Sequence, residues 1–547
     1  MKIRAISLAA IALLLMQDCA VGQNGPFRLG TTTHFSQGWP DRLWPLVRQV
    51  GAVTVRDSIH WRKVERVQGH YNFTADNSGH IQRACDAGIG VVLGLDPRNH
   101  VYDGGQTSFT PVARMAYANY VKAIADKFGG CIVAVEVGNE INGLGNVTGP
   151  AALDRAVSHT ALLRDVYRIA KPGHSGLAIL GGSTNAIGTG FLIDLFNAGA
   201  LSFMDGVAVH PYRQDPVNLD WELNRLTAAM AARGMPKPIW ATEFSREFAS
   251  PAQAPGFLTK MAALMSASGV RDALWYALAD QKAYPTMGLF TFDGSSKPVA
   301  TSFRNLVSDI LPRGAAQRLN KDESGLFHFR FGTDRQIIWG ARRTFSLSGP
   351  ALIRDSTGTL IAQLGTISDD PIIIEGNVAV KLGSQTVLAD SFYDYGKREW
   401  VYTATRGSGA SIPLRPIDWK FGSYIGHPAL KPIVVNSLGL APAGGGRLPI
   451  KIMLRHTLLG AGPVYASGCI ARKTIKGDGV TFELLHDGKA IAQSLVGANP
   501  YQFNEMINAG QGDSIDFVVG PNKHAAGDLA RYRFRVSRYK DDPAPCS

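Results

Sequence analysis

Short runs of apolar and β-branched residues alternate with longer amphipathic stretches from residue 27 to about residue 311. This alternation predicts βα units and a parallel sheet. Helical stretches such as those at 111–128, 151–170 and 218–233 separate the predicted strands. Eight strands with eight following helices make a (β/α)₈ barrel, so the expected fold class begins with a TIM barrel. The predicted strands are 29–33, 54–57, 90–95, 132–139, 177–181, 206–212, 238–243 and 273–278.

The pattern changes after Pro312, where the helical periodicity stops and short alternating runs such as 326–331, 336–340 and 372–375 replace it. Turn-forming residues between such runs are typical of a β-sandwich. We therefore expect a leader at 1–22, the barrel at 23–312, a small β-sandwich at 313–383 and a further β-rich domain at 384–547. That last region contains the runs 480–485, 514–519 and 532–536, and its segment 441–446, rich in Pro and Gly, is predicted to be a loop.

The first 22 residues have the three parts of a secretory signal peptide. Lys2 and Arg4 precede an apolar run at 6–16, and Ala20-Val21-Gly22 follows, which predicts cleavage near Gln23. The apolar run is about half of the roughly 20 residues that a membrane span needs. A lipoprotein anchored at Cys19 is the alternative, and the preceding Gln17-Asp18 argues against it. We expect a secreted or periplasmic protein without an integral membrane segment.

Composition identifies an ordinary globular chain with an excess of positive charge. Of its 547 residues, 45% are hydrophobic and 18% are charged, so no disordered tract is expected. The net charge of +12 favours polyanionic partners. Lys and Arg are spread along the chain without a basic run or a nucleic-acid-binding motif, which argues against nucleic acid. An acidic polysaccharide is the preferred partner, and a merely solvated basic surface is the alternative.

Four cysteines remain once Cys19 has left with the leader. The oxidising compartments that exported proteins enter permit disulfides between them. Cys85 and Cys131 lie on one rim of the predicted barrel, whereas Cys469 and Cys546 lie in the last domain. We predict one disulfide in each domain, Cys85 with Cys131 and Cys469 with Cys546. Metal binding is the alternative, and the scattered spacing argues against it.

Two carboxylates end strands of the predicted barrel. Glu140 follows Asn139 at the end of strand 4, and Glu243 ends strand 7. Catalytic groups of such barrels lie at the carboxyl ends of the strands, so both should face one cavity. A retaining glycosidase needs such a pair, because one carboxylic acid protonates the leaving oxygen while the other carboxylate attacks the anomeric carbon. We predict that Glu140 is the acid/base, with a raised pKa, and that Glu243 is the nucleophile.

Further side chains at these strand ends are candidates for substrate binding. Asn139 is suited to bonding the sugar 2-hydroxyl, and His210 and Tyr212 to holding Glu243, whose negative charge Arg56 can stabilise. Arg56 in a structural ion pair, and His210, Tyr212 and Trp275 as ordinary core residues, are the alternatives. Glu136, deeper in strand 4, is interpreted as a supporting carboxylate. The full set of predicted substrate-binding residues is Arg56, Asn139, His210, Tyr212, Trp275, Trp61 and His60.

These residues resemble glycoside hydrolase clan A, whose barrels carry an Asn-Glu acid/base on strand 4 and a Glu nucleophile on strand 7. The spacing of Arg56, Trp61, Glu65, Gly69, Tyr71 and Phe73 is also similar to that clan, as are Gly288-Leu289-Phe290 and Lys297-Pro298. Within the clan the chain is most similar to family 39 and its bacterial exopolysaccharide glycosidases. Gly138 and Ile141 depart from the Trp-Asn-Glu-Pro-Asn run that is usual in family 39.

The third domain resembles the galactose-binding-type jelly rolls of secreted carbohydrate enzymes. The residues that carry this resemblance are 389–392, Trp400, 477–480 and 512–517. The resemblance implies a carbohydrate-binding domain, and a purely structural sandwich is the alternative.

The sequence thus predicts a retaining glycoside hydrolase that cleaves a bacterial exopolysaccharide, or a related heteropolysaccharide or oligosaccharide, by double displacement. An inactive carbohydrate-binding protein and an accessory protein of polysaccharide export are the alternatives, and the presence of both Glu140 and Glu243 opposes them. The expected mechanism requires no metal and no organic cofactor, and calcium in a β domain is left open.

Overall fold

A computed structural model describes residues 26–362, 365–445, 448–473, 477–525 and 527–540. The first eight strands form a closed parallel barrel in which each strand pairs with the next and β8 pairs with β1. The strands are β1 (Arg28–Thr32), β2 (Thr54–Asp57), β3 (Gly90–Leu95), β4 (Ile132–Val137), β5 (Ala178–Asn185), β6 (Gly206–His210), β7 (Ile239–Phe244) and β8 (Val270–Trp275).

Helices follow each barrel strand. Local sequence sets where they start. The Thr110 side chain accepts from the backbone N–H of Ala113 at 3.2 Å and thereby caps the helix that begins at Pro111. The Asp154 side chain caps the helix that begins at Arg155 in the same way. The helices are α1 (Trp44–Gln49), α2 (Trp61–Val64), α3 (Ala75–Asp86), α4 (Pro111–Phe128), α5 (Arg155–Ala170), α6 (Thr189–Asn197), α7 (Leu219–Ala231), α8 (Ala254–Ala267) and α9 (Pro298–Asn305).

Alternation along the strands separates two hydrophobic cores. Leu274 and Trp240 fill the barrel interior, whereas the neighbouring Trp275 belongs to the layer between the barrel and the helices. The disulfide between Cys85 and Cys131 joins the end of α3 to the residue directly before β4 with a Cα–Cα distance of 5.3 Å, which confirms that predicted bridge. The predicted bridge from Cys469 to Cys546 lies outside the described residues.

Two antiparallel sheets follow the barrel, in the orders β13-β15-β11-β10-β9 and β14-β12-β16. Along β10, Phe327, Phe329 and Phe331 join the core of the barrel, whereas Leu326 packs toward the smaller sheet. The strands are β9 (Gln317–Leu319), β10 (Leu326–Phe331), β11 (Arg335–Gly340), β12 (Arg343–Leu347), β13 (Leu352–Arg354), β14 (Thr366–Ile367), β15 (Ile372–Glu375) and β16 (Val380–Leu382).

The last region consists of two larger antiparallel sheets that share one hydrophobic core. The predicted loop at 441–446 is wrong in part, because β24 pairs with the start of β25. The strands are β17 (Val387–Asp390), β18 (Val401–Arg406), β19 (Ser411–Pro413), β20 (Arg415–Trp419), β21 (Gly422–Gly426), β22 (Val434–Val435), β23 (Gly439–Ala441), β24 (Ala443–Gly445), β25 (Leu448–Thr457), β26 (Gly462–Arg472), β27 (Val480–His486), β28 (Lys489–Val496), β29 (Tyr501–Ala509), β30 (Ser514–Pro521) and β31 (Ala530–Ser537).

A barrel followed by all-β sheets confirms the predicted fold class. The predicted leader at 1–22 lies outside the described residues. Within the described ranges, every helix is too short or too polar to span a membrane.

Candidate active site

A cleft of about 800 Å³ opens at the carboxyl ends of the barrel strands. In barrels of this type that face carries the functional residues, because the βα loops are free to vary there. Each strand, or the loop that directly follows it, contributes a side chain to the wall. In chain order these include His34, Arg56, Asp96, Glu140, Asn185, Tyr212, Glu243 and Tyr276.

Glu140 occupies a left-handed backbone conformation, with φ +47°. Non-glycine residues pay about 1 to 3 kcal/mol for such a conformation, so the surroundings must hold it. The backbone N–H of Gly143 and the side-chain amide of Asn146 donate to the carbonyl oxygen of Glu140 at 2.8 and 3.1 Å. The loop after β4 is thereby fixed and presents the Glu140 side chain to the cleft.

Glu243 is 8% exposed and has a donor at each carboxylate oxygen. An Arg56 N–H donates to Oε1, and the Tyr212 hydroxyl donates to Oε2 at 2.6 Å. Burial and the Glu243 charge raise the pKa of Tyr212 well above its usual range, so Tyr212 keeps its proton. These contacts orient Glu243 and stabilise its negative charge.

Glu136 lies beneath the cleft, fully buried, and accepts four hydrogen bonds. The donors are Arg56 Nε at 2.8 Å, His210 Nε2 at 3.0 Å, Ser183 Oγ at 2.7 Å and Thr242 Oγ1 at 2.9 Å. Burial alone would raise the pKa of Glu136, but the charges of Arg56 and His210 hold it well below its usual range. Glu136 is therefore a permanent buried anion that holds two cationic side chains in place.

His210 connects the carboxylates. Its Nε2 contacts Glu136, and its Nδ1 lies 3.3 Å from Oε1 of Glu140 and 3.6 Å from Oε2 of Glu243. Burial opposes the charged form, but the charges of Glu243 and Glu136 raise the pKa of His210 to about 9. The imidazole is thus positively charged at neutral pH. The structure places His210 beside Glu243, although its hydrogen bonds go to Glu140 and Glu136, so its role in holding Glu243 stays a prediction.

The pKa of Glu140 is lowered from its usual value, contrary to the raised pKa expected of an acid. Burial raises this pKa, but the hydrogen bond and charge of His210 lower it, as does the Asn185 amide, which donates to Oε1 at 2.8 Å. The sequence could not indicate this result, since it arises from a protonated histidine 70 positions away.

The last domain contacts the loop that carries Glu140. The Asn142 side-chain amide donates to the backbone oxygen of Lys420, in the turn between β20 and β21. The same amide donates to the backbone oxygen of Asn185 at 3.0 Å, and Asn185 in turn binds Glu140. Two asparagine side chains thus connect the C-terminal sheets to the candidate acid/base.

One oxygen or nitrogen each of Glu140, His210 and Glu243 lies within 4.8 Å of the others, a geometry that can also hold a metal ion. Donors from Arg56 and Tyr212 already occupy both oxygens of Glu243, and His210 is protonated. Adding a cation between a guanidinium and an imidazolium is electrostatically unfavourable. The arrangement therefore favours proton transfer and nucleophilic chemistry over metal binding.

A second set that could hold a cation consists of His486, Asp487 and Asp513 in the C-terminal sheets. Existing contacts account for these groups. His486 Nε2 lies 2.7 Å from an Asp513 oxygen, and the backbone N–H of Ser514 donates to Asp487 at 2.8 Å.

The structure contradicts the prediction of a sugar contact for two residues. Trp275 is 0% exposed, and its indole N–H donates to the Met287 oxygen at 2.9 Å. Trp61 is 2% exposed and donates to Glu65 at 2.6 Å. Both rings belong to the core between the barrel and the helices, so the prediction that they contact a sugar is wrong.

The other predicted residues surround the cleft. Asn139, Tyr212 and His60 line it together with Arg56, whose guanidinium also donates to Asn139 Oδ1 at 3.0 Å. His210 lies fully buried beneath the wall. Their roles toward a substrate stay predictions.

Sequence reasoning missed Asn185 and Tyr276. Strand 5 was expected to end at residue 181 but continues to Asn185, which therefore lies at a strand end. Strand 8 was expected to include residue 276 but ends at Trp275, so Tyr276 is the first residue of the loop. The Tyr276 ring packs edge-on against Tyr212 and His34, with centroid distances of 5.8 and 5.2 Å. Correct strand ends would have revealed both residues.

A second cavity, of about 210 Å³, lies behind the loop that follows β4, and Asp96 and Asn139 line both spaces. Gly138 leaves this space open. A Cβ atom there would lie 2.9 Å from Ile141 Cγ2 and 3.7 Å from His159 Cε1. His159 is buried, and its Nε2 has no hydrogen-bond partner among the described residues. Burial lowers the pKa of His159 to about 3, so this ring is neutral.

A solved structure with a TM-score above 0.5 supports the fold. The chain is similar to a family 39 glycoside hydrolase from the gut symbiont Bacteroides cellulosilyticus WH2, with 18% identity, coverage of 64% of this chain and 81% of that one, and a TM-score of 0.54. A GH39 β-xylosidase from Caulobacter crescentus matches at 17% identity over 65% and 98% of the two chains, with a TM-score of 0.46. The GH39 enzyme from Xanthomonas axonopodis pv. citri matches at 14% identity over 91% and 96%, with a TM-score of 0.45. No protein-family profile and no curated protein sequence matches this chain.

Proposed function

We propose that the protein is a retaining glycoside hydrolase of clan A, similar to family 39, with Glu140 as acid/base and Glu243 as nucleophile. The observation that carries the proposal is the placement of these two carboxylates across one cleft, with an oxygen of each within 4.8 Å of the other. Retaining enzymes hold their carboxyl groups about 5 to 5.5 Å apart, whereas inverting enzymes need about 6.5 to 9.5 Å to admit water. The observed approach supports retention.

In the first step Glu140 donates its proton to the glycosidic oxygen while an oxygen of Glu243 attacks the anomeric carbon. The bond to the leaving group breaks, and a covalent glycosyl ester of Glu243 forms. In the second step Glu140 accepts a proton from water, which attacks the same carbon and releases Glu243. Asn139, exposed in the cleft beside Arg56, is suited to bond the sugar 2-hydroxyl.

The proposed substrate is a bacterial exopolysaccharide or a related heteropolysaccharide, met outside the cytoplasm. The leader-like segment at 1–22 supports export. The net charge of +12 supports an acidic polymer, because a positive surface attracts polyanions over distances of about the Debye length. The Cys85–Cys131 disulfide fits an oxidising compartment.

The Glu243→Gln variant tests the assignment on any polysaccharide or aryl glycoside that the parent protein cleaves. Gln keeps the volume but is a far weaker nucleophile, so kcat should fall by about 10³-fold or more while substrate still binds. A matched control is Glu483→Gln, in a half-exposed ion pair with Lys451 in the C-terminal sheets, which should keep full turnover. Normal turnover by Glu243→Gln would refute the assignment of Glu243 as the nucleophile.

Proton NMR of the first-formed sugar tests the stereochemistry separately. Double displacement predicts that the initial product has the anomeric configuration of the substrate, before mutarotation. An inverted first product would exclude the covalent route even if both carboxylates proved essential.

A further inference from the structure

Arg246 differs from the other two arginines that line the cleft. Arg56 is bonded to Glu136, and Arg213 donates to Glu222. The Arg246 guanidinium makes neither an ion pair nor a hydrogen bond within the part of the chain that the structure describes, and its buried Nε has no acceptor. A cation that is held in a cleft without a partner is a candidate for binding an anionic ligand.

The guanidinium of Arg246 is held by aromatic rings. It lies over the rings of Phe248 and Phe257, with its central carbon 4.9 and 5.6 Å from their centroids. Stacking uses the flat face of a guanidinium and leaves its N–H edges available to a ligand. Arg246 follows the end of β7 by two residues and lines the same cleft as Glu243.

The surroundings of Arg246 contain little compensating charge. Burial lowers its pKa from the usual value, and the charge of Asp215, which does not contact it, opposes that shift. Asp215 is itself mostly buried and faces the positive charge of Lys260. Removing water from a cation without providing an anion costs free energy, which an incoming carboxylate would recover.

We propose that Arg246 binds a carboxylate of the substrate, so that the polymer contains uronate residues. This inference rests on the proposed glycosidase function and specifies its substrate class. A guanidinium presents two parallel N–H donors whose spacing matches the two oxygens of a carboxylate. A neutral sugar has no such group, and it would leave the charge of Arg246 unpaired in the occupied cleft.

The test compares one glucuronate-containing bacterial heteropolysaccharide with the same polymer after carbodiimide-activated borohydride reduction of its carboxyl groups. Reduction turns uronates into neutral hexoses and leaves the linkages unchanged. Arg246→Gln should raise KM for the acidic polymer about 10- to 100-fold, as expected for the loss of a charge-assisted hydrogen bond, with kcat little changed. Arg246→Lys keeps the charge but loses the planar arrangement of N–H donors, so its KM for the acidic polymer should lie between those of the parent protein and Arg246→Gln.

Arg330→Gln is the matched control, because it removes the same charge from an exposed position on β10. It should behave as the parent protein on both polymers. On the reduced polymer, the Arg246 variants should also match the parent. An equal rise in KM on both polymers, or a parent protein that cleaves the reduced polymer as well as the acidic one, would overturn the role of Arg246.

Two further measurements separate a failure of the uronate site from a failure of the proposed function. Normal turnover by Glu243→Gln on these polymers would refute the proposed function itself. A loss of about 10³-fold or more in that variant, with unchanged kinetics in Arg246→Gln, would refute only the uronate site. If Arg246→Gln fails to fold, as judged by its circular dichroism, titration of Glu243→Gln and of Glu243→Gln/Arg246→Lys with sodium D-glucuronate decides the question. Equal affinity of these two proteins for glucuronate would overturn the inference.

Discussion

Replacing Glu136 by Gln removes one negative charge from the buried network beneath the cleft and leaves its volume nearly unchanged. The Glu136 carboxylate accepts on Oε2 from Arg56 and on Oε1 from Ser183, Thr242 and His210. An amide nitrogen in the place of Oε2 would face a donor of Arg56. In the place of Oε1 it would face the protonated His210, although the two hydroxyls could turn to accept.

The expected loss of stability follows from the uncompensated charge. Breaking a buried ion pair by removing one partner costs about 3 to 5 kcal/mol. We expect about 3 kcal/mol, at the lower end of that range, because Arg56 keeps Glu243 as a second partner. The pKa of His210, raised to about 9 in part by Glu136, should fall in the variant.

Differential scanning calorimetry at pH 7 measures the loss of stability in Glu136→Gln. A loss of about 3 kcal/mol should lower the melting temperature of the barrel by roughly 5 °C. The control is Glu483→Gln, whose partner Lys451 is 37% exposed, and such a half-exposed pair contributes about 1 kcal/mol or less. NMR titration of the His210 ring measures the expected fall in its pKa. Equal melting temperatures for the two variants, or an unchanged His210 pKa, would refute the interpretation of Glu136 as the anion that holds the site.

Two further substitutions test the cavity behind Asn139. Burial holds the pKa of His159 at about 3, so the folded protein loses stability as the pH falls below the unfolded value near 6.5, by about 2 kcal/mol at pH 5. His159→Phe should reduce the difference between the free energies of unfolding measured at pH 8 and pH 5. The same difference in the variant and the parent protein would contradict the burial argument. Gly138→Ala should lower both melting temperature and kcat, because φ is +80° there and the new Cβ would press on Ile141. Gly88→Ala, with φ +70° and open space around it, should lose only stability, and a similar loss of kcat in both variants would contradict the steric argument.

The sequence was sufficient to predict the barrel, because each βα unit repeats a local pattern of hydrophobic positions. Helix α4 was predicted with its correct bounds, since Thr110 and Pro111 mark its start. Strand ends were less predictable. The apolar pattern of strand 5 weakens after residue 181, yet pairing with β6 continues to Asn185 beyond a register shift. That pairing depends on the neighbouring strand, which local sequence does not contain.

The two carboxylates of the candidate site could be predicted, but not the state of their protons. Glu140 lies in the loop that follows β4 and Glu243 lies near the end of β7, so closure of the barrel brings them together. Trp275 also lies at the end of a strand, but alternation along β8 turns it away from the barrel interior, and a shift of one residue decides which side chain faces inward. The lowered pKa of Glu140 and the charge on His210 depend on distances of 3 to 4 Å between side chains far apart in sequence.

These distances give His210 a specific part in the proposed double displacement. Before the first step Glu243 carries the negative charge and Glu140 its proton; after it, Glu243 is a neutral ester and Glu140 carries the charge. His210 Nδ1 lies 3.3 Å from an oxygen of Glu140 and 3.6 Å from one of Glu243, so the same cation stabilises the charge in either place. In the free protein the hydrogen bond and the charge of His210 lower the pKa of Glu140, which favours its base form. A bound sugar must therefore raise that pKa, and excluding water from the cleft does so, because desolvation is the largest contribution already acting in that direction.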